Sequence, residues 1–194
     1  MRKRISSPLA LICVPGLFLL LPADSSLSAE RAAAKESARV QFNRDDAQGQ
    51  LQVVVDGKEA LVYRHGDDVD LPHYYPVRSP SGKSLTVQKT EPYPHHRSVW
   101  FADTVELAGH RRASFYMALS TQVDKKDPKS PFRDRVRQVE FLPTKSEGNQ
   151  ATIDTKLLWE MDLNVPVLDE LRKMRVVALG QGEYFVDLTF TVTA

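Results

Sequence analysis

The chain has 194 residues, with 26 Lys and Arg against 25 Asp and Glu, five histidines and a formal net charge of +1. That near balance excludes the basic face a nucleic-acid binder needs. A single cysteine, Cys13, excludes an intramolecular disulfide, so an apolar core must hold the fold together.

In chain order, Arg2, Lys3 and Arg4 precede an apolar run over residues 8–21, interrupted by Pro15 and Gly16. The run is shorter than the roughly 20 residues a membrane span requires. Ser26 and Ser28 then supply small side chains at the −3 and −1 positions of a cleavage site. Residues 1–28 read as a signal peptide cleaved near Ser28, and the product as secreted or periplasmic. Cys13 lies inside this segment behind Ala10, Leu11 and Ile12, without the small residue that precedes a lipoprotein cysteine. Removing Arg2, Lys3, Arg4 and Asp24 leaves 23 basic against 24 acidic residues and no thiol. No later apolar run reaches membrane length, so no membrane contact is expected after cleavage.

Residues 29–37 read as a leader and residues 38–194 as one β-rich domain. "ARVQF", "LQVVV" and "ALVYR" are strand-like, and Asp56-Gly57 between the last two is a hairpin signal. Residues 65–83, with their prolines and glycines, read as a loop exposing His73, Tyr74 and Tyr75; binding residues concentrate on such loops. "SLTVQKT", "SVWFAD" and "ASFYMALS" read as further strands, and the charged, proline-broken residues 124–135 as a solvated connection. "VRQVEFL" and "ATIDTKLLWEM" flank one polar turn, "RKMRVVAL" and "EYFVDLTFTVTA" another. About ten short strands with polar turns, and no long stretch at helical spacing, predict an all-β sandwich or barrel.

The segment "PYPHHRSVWF", residues 92–101, holds two of the five histidines beside Arg97 and Trp100. Tyr75, Pro76, Pro80, Gly82 and Thr86, followed by Pro94, His95, His96, Arg97, Trp100 and Phe101, resemble the signature of a bacterial β-rich family labelled methane oxygenase PmoA, or PmoA-like. Glu170, Arg172, Tyr184 and Asp187 continue the likeness toward the C-terminus. Pro92 and Tyr93 stand where the pattern has Asp and His, and Ser98 where it has Gly. The resemblance implies an antiparallel β-sandwich similar to the galactose-mutarotase-like, sugar-handling folds. It also implies a longer chain, so this sequence reads as C-terminally short and its sandwich as incomplete. Lacking transmembrane helices beyond its signal, the chain does not read as a genuine membrane methane monooxygenase.

On a regular strand His95, Arg97, Val99 and Phe101 would share one face, and His96, Ser98 and Trp100 the other. Trp100 beside His96 suits a sugar: an aromatic plate for the ring and a polar group for its hydroxyls. Arg97 can grip a carboxylate with two parallel bonds. Three readings stand open. One is a carbohydrate-active enzyme in which His95, His96 and Arg97 do the chemistry, a histidine serving as general acid or base, and Trp100, His73 and Tyr74 bind substrate. Another is a saccharide-binding module without chemistry. The third is a metal site made by His73, His95 and His96 with Glu91 or Asp103, although the spacing matches no ligand motif and names no cofactor. Against all three, histidines often do no more than bond backbone carbonyls. Trp159, Tyr184 and Phe185 read as packing. Glu170, Arg172 and Asp187 read either as cleft residues or as strand ion pairs.

Overall fold

The structure is a computed structural model describing residues 39–118, 133–162 and 164–194. The signal-peptide and leader readings, and most of the 124–135 connection, lie outside the described residues.

A meander opens the fold: β1 (Val40–Asp45), β2 (Gln50–Val55) and β3 (Lys58–Arg64), antiparallel throughout. In β2 Leu51, Val53 and Val55 are buried while Gln50, Gln52 and Val54 are not, the period-2 pattern of a half-buried strand. Asp56 and Gly57 both take positive φ, 49° and 77°, as the tight β2–β3 turn demands. Next come β4 (His73–Val77), β5 (Gln88–Thr90), β6 (Tyr93–Arg97) and β7 (Val99–Trp100). β4 and β7 complete the first sheet in the order β1-β2-β3-β4-β7, while β5 and β6 form a separate two-stranded ribbon. A second ribbon pairs β8 (Thr104–Glu106) with β9 (Arg112–Ser114), and a 3₁₀ turn follows at Phe115–Met117.

The second sheet contains β10 (Arg135–Phe141), β11 (Lys145–Glu147), β12 (Gln150–Met161), β13 (Val165–Gly180) and β14 (Glu183–Thr193). Its order is β10-β12-β13-β14, with β11 also pairing β12. All pairings are antiparallel, and no α-helix occurs among the described residues. The all-β expectation therefore holds.

The main core lies between the inner faces of the two sheets. Val53, Leu61 and Tyr63 of the first meet Ile153, Met174 and Val176 of the second. Each such large apolar side chain contributes about 1.5–3 kcal/mol when fully buried. A second cluster, including Leu71, Phe115, Leu157 and Trp159, packs against Trp100 and Phe101. It backs the region that carries the histidine block.

Polar groups are sealed into this interior. Glu170 and Arg172, two residues apart on β13, form an ion pair at 2.7 Å, with side chains 0% and 2% exposed. The Trp159 indole donates to the other Glu170 oxygen at 2.8 Å, and Arg172 reaches the Pro72 carbonyl at 3.4 Å. Phe190 lies 5.1 Å from the guanidinium carbon. Burial works against the Arg172 charge, but Tyr63, Tyr74 and Glu170 outweigh it and hold its pKa above the ordinary value. Trp159 is thus core packing with a polar bond. Asp187 lies elsewhere, paired on the surface with Arg175 across β13–β14. Glu170, Arg172 and Asp187 are all in ion pairs; Glu170 and Arg172 are buried in the core and line no cleft among the described residues, while Asp187 lies on a separate surface depression shared with Lys145, Lys173 and Arg175. Tyr184 packs on the core and donates to the Ala60 and Arg78 carbonyls, whereas Phe185, expected to pack, is exposed.

Several local readings need correction. Residues 65–83 are not simply a loop, since they contain β4. His73 and Tyr74 are 0% and 2% exposed rather than displayed to solvent. The prolines mislead because Pro76, which has no N–H for a ladder, falls where the β3–β4 register shifts between Leu61↔Val77 and Tyr63↔Tyr74. The 124–135 connection is not solvated at its end. Asp134 is buried, accepts from the Ser114 amide and pairs with Arg111. "ASFYMALS" is no continuous strand, because β9 gives way to the 3₁₀ turn after Ser114.

Candidate functional site

The histidine block occupies β6 and β7, joined by a bend at Ser98. The two strands belong to different sheets: β6 pairs with β5, and β7 with β4. Within β6 the expected alternation holds, with His95 and Arg97 buried and His96 half-buried. The bend ends the alternation. Trp100 and Arg97, assigned to opposite faces of one regular strand, both reach the same cleft as His96.

That cleft has a volume of about 340 Å³. Val87, Thr90, Ser98, His96 and Arg97 line it together with two aromatic rings, Trp100 and Tyr116. The rings lie 5.0 Å apart, tilted by 36°. Tyr116 comes from the 3₁₀ turn, whose tight geometry buries Phe115 and leaves Tyr116 exposed. Its hydroxyl stands 3.0 Å from His96 Nε2. On its other side His96 stacks on Tyr93, centroids 5.0 Å apart. The imidazole is therefore held between a phenol and a phenyl face with one edge open to the cleft.

His95 is 8% exposed and does not line the cleft. Its ring meets His96 edge-to-face at 4.4 Å and Tyr116 at 5.4 Å. Burial, then the neighbouring His96 and Arg97, hold its pKa below the usual imidazole value, which keeps it neutral at neutral pH. Arg97 is 3% exposed. Nη1 donates to the His95 carbonyl at 2.6 Å and Nη2 to the Ala118 carbonyl at 3.2 Å. It thereby ties β6 to the residue after the 3₁₀ turn, and its guanidinium lies 5.7 Å from the centre of the Trp100 ring.

His73 and Tyr74 lie outside the cleft lining. His73 is the cross-strand neighbour of Trp100 and is itself fully buried. Its Nδ1 lies 2.9 Å from the Leu71 carbonyl and its Nε2 2.6 Å from the Gln88 side-chain amide. Gln88 belongs to β5, so His73 anchors the β5–β6 ribbon to the first sheet. Burial lowers its pKa. Tyr74 packs on Tyr63, centroids 5.1 Å apart, and burial pushes its pKa up to about 12. The three histidines of the metal reading are not assembled. Among the described residues no group of three His, Cys, Asp or Glu side chains is placed to hold an ion.

Tyr116, Thr90 and Ser98 were not singled out from the sequence. Tyr116 sits inside an apolar run that reads as a buried strand, and only the change of path after Ser114 turns its phenol into the cleft.

No curated protein and no solved structure is significantly similar to the chain. One family does match: its model covers residues 50–194, a span that takes in β2 through β14 and every residue lining the cleft. The chain belongs to DUF6807, a family of unknown function.

Proposed function

We propose that this cleft binds a saccharide, and that the protein is an exported carbohydrate-recognising or carbohydrate-modifying member of its family. The observation that carries the reading is the composition of the cleft. Two adjacent aromatic rings, Trp100 and Tyr116, share one opening with His96, Arg97, Ser98 and Thr90. Pyranose rings present C–H faces to aromatic plates and hydroxyls to short polar side chains. The volume of about 340 Å³ lies within the range of small-molecule sites, about 300–1,000 Å³. The PmoA-like signature around Pro94–Phe101 and the two packed antiparallel sheets support a likeness to galactose-mutarotase-like folds. The segment over residues 1–28 supports export.

Within this reading His96 is the acid–base group. Its Nε2 and the Tyr116 hydroxyl form a pair through which a proton can pass to or from a sugar oxygen. His95 packs behind it, and Arg97 holds the strand bend that presents both His96 and Trp100.

The test is a titration of the protein with neutral and acidic saccharides, followed by tryptophan fluorescence. Trp159 is buried and Trp100 half-buried in the cleft, so a ligand-dependent change reports Trp100. The change is expected to vanish in Trp100→Phe and His96→Ala, with melting temperatures near that of the parent. Saccharides that leave both fluorescence and melting temperature unchanged would sink the proposal. Product formation would then separate an enzyme from a binding module.

A further inference from the structure

Arg97 is an unusual cation. It is 3% exposed, yet its two bonds go to main-chain carbonyls, and among the described residues no carboxylate pairs with it. A guanidinium has five N–H donors. Two are engaged, and the buried Nε has no partner. A buried charge without a counter-charge is costly unless something else compensates it. The other buried arginine, Arg172, has its carboxylate at 2.7 Å.

The surroundings sharpen the contrast. Among the described residues, none that lines the cleft is acidic. The carboxylate that acts on Arg97 is Asp70, which is buried and favours the Arg97 charge without bonding it; one of its oxygens is engaged by Arg133 and the other has no partner among the described residues. At His95, both His96 and Arg97 add to burial in opposing protonation. The cleft thus combines a guanidinium that bonds no carboxylate among the described residues, an imidazole, two hydroxyl side chains and an aromatic pair.

We infer that the ligand of this cleft is an anionic saccharide, whose carboxylate or other oxyanion substituent is held by Arg97 and His96 while its ring lies against Trp100 and Tyr116. The inference rests on the saccharide reading and adds the charge of the substrate. The ligand would supply the directly bonded oxyanion that Arg97 lacks among the described residues, and a planar carboxylate can meet the guanidinium with two parallel bonds. Uronic acids and sulfated or phosphorylated hexoses share this chemistry.

The experiment compares four probes by calorimetry at low salt: galactose, galacturonate, galactose 6-sulfate and inorganic sulfate. Galacturonate or galactose 6-sulfate is expected to bind at least about tenfold tighter than galactose, as a charge-assisted bond requires. Whichever wins identifies the oxyanion. The advantage should shrink in high salt, and in Arg97→Gln the ratio of charged-sugar to galactose affinity should fall to about one, whatever the loss in galactose affinity itself. Arg97→Lys, which keeps the charge and loses the fork, tests the same point if the glutamine variant folds poorly. Equal affinity for galactose and both charged sugars would overturn the inference and leave the saccharide reading standing. Inorganic sulfate binding as tightly as the charged sugars would overturn the saccharide reading and keep the anion preference. Binding of none of the four would overturn both.

Discussion

Replacing Glu170 by alanine is expected to be among the most damaging single changes in the second sheet. The substitution leaves Arg172 in the core without its carboxylate partner and removes the acceptor of the Trp159 indole. Stranding one member of a buried ion pair costs about 3–5 kcal/mol. An orphaned buried donor costs about 1–3 kcal/mol more. A total of about 4–8 kcal/mol would consume much of the 5–15 kcal/mol that holds a typical domain folded. The double variant Glu170→Leu, Arg172→Met behaves differently, because it removes both charges. Only the Trp159 N–H then lacks a partner, so its cost should be about 1–3 kcal/mol. The assay is urea unfolding followed by far-UV circular dichroism, with midpoints compared at constant slope. The double variant should be more stable than the single by about 2 kcal/mol or more. If Glu170→Ala costs less than about 1 kcal/mol, or if the double variant costs the sum of the two singles, then the pair does not compensate charge as described.

Four shorter expectations accompany this one. His73, His65 and His95 are all held below the usual imidazole pKa, burial being the first cause in each. The unfolded chain therefore takes up protons below about pH 6.5 that the folded chain refuses. Stability should be full above that pH and decline as pH falls toward the lowered folded values, with His73→Gln flattening the decline; urea midpoints that rise on acidification would contradict this. Gly49→Ala should cost about 2 kcal/mol or more, because φ is +57° and a Cβ would run into the Gly66 backbone. Gly57→Ala, also at positive φ but with open space around it, should cost about 1 kcal/mol, and equal thermal shifts in the two variants would refute the contact. Tyr116→Phe keeps the ring beside Trp100 and removes only the hydroxyl on His96, so saccharide affinity should fall about fivefold with no change in melting temperature.

The sheets were legible because their signals are local. Alternation in β2 and the Asp56-Gly57 turn need only neighbouring residues, and the β12 and β13 patterns are long enough to stand out. β4 was hidden because its proline occupies a register shift, a feature set by the partner strand and not by the sequence of β4. The site was half legible. Alternation correctly separated His96 from His95, since side-chain direction follows from backbone pleat. The convergence of Arg97 and Trp100 on one cleft did not follow, because the bend at Ser98 hands the chain from a ribbon to a sheet and resets the alternation beyond it. Tyr116 was illegible for a related reason: a single 3₁₀ turn of three residues carries no periodic signature. Nor does sequence spacing reveal that His73 spends both ring nitrogens on Leu71 and Gln88.

Among the described residues, those lining the cleft fall between positions 87 and 116, whereas the ten strands of the two large sheets lie, apart from the two residues of β7, outside that window. Recognition is therefore concentrated in one stretch of the chain, although Phe101, Ala113 and Phe115 of that stretch also pack in the second core cluster. A protein built this way can drift in ligand taste by local rewriting as long as those core side chains are kept. The 87–116 stretch is accordingly a modular cassette: exchanged between two members of the family, it should carry the donor's preference into the recipient's scaffold.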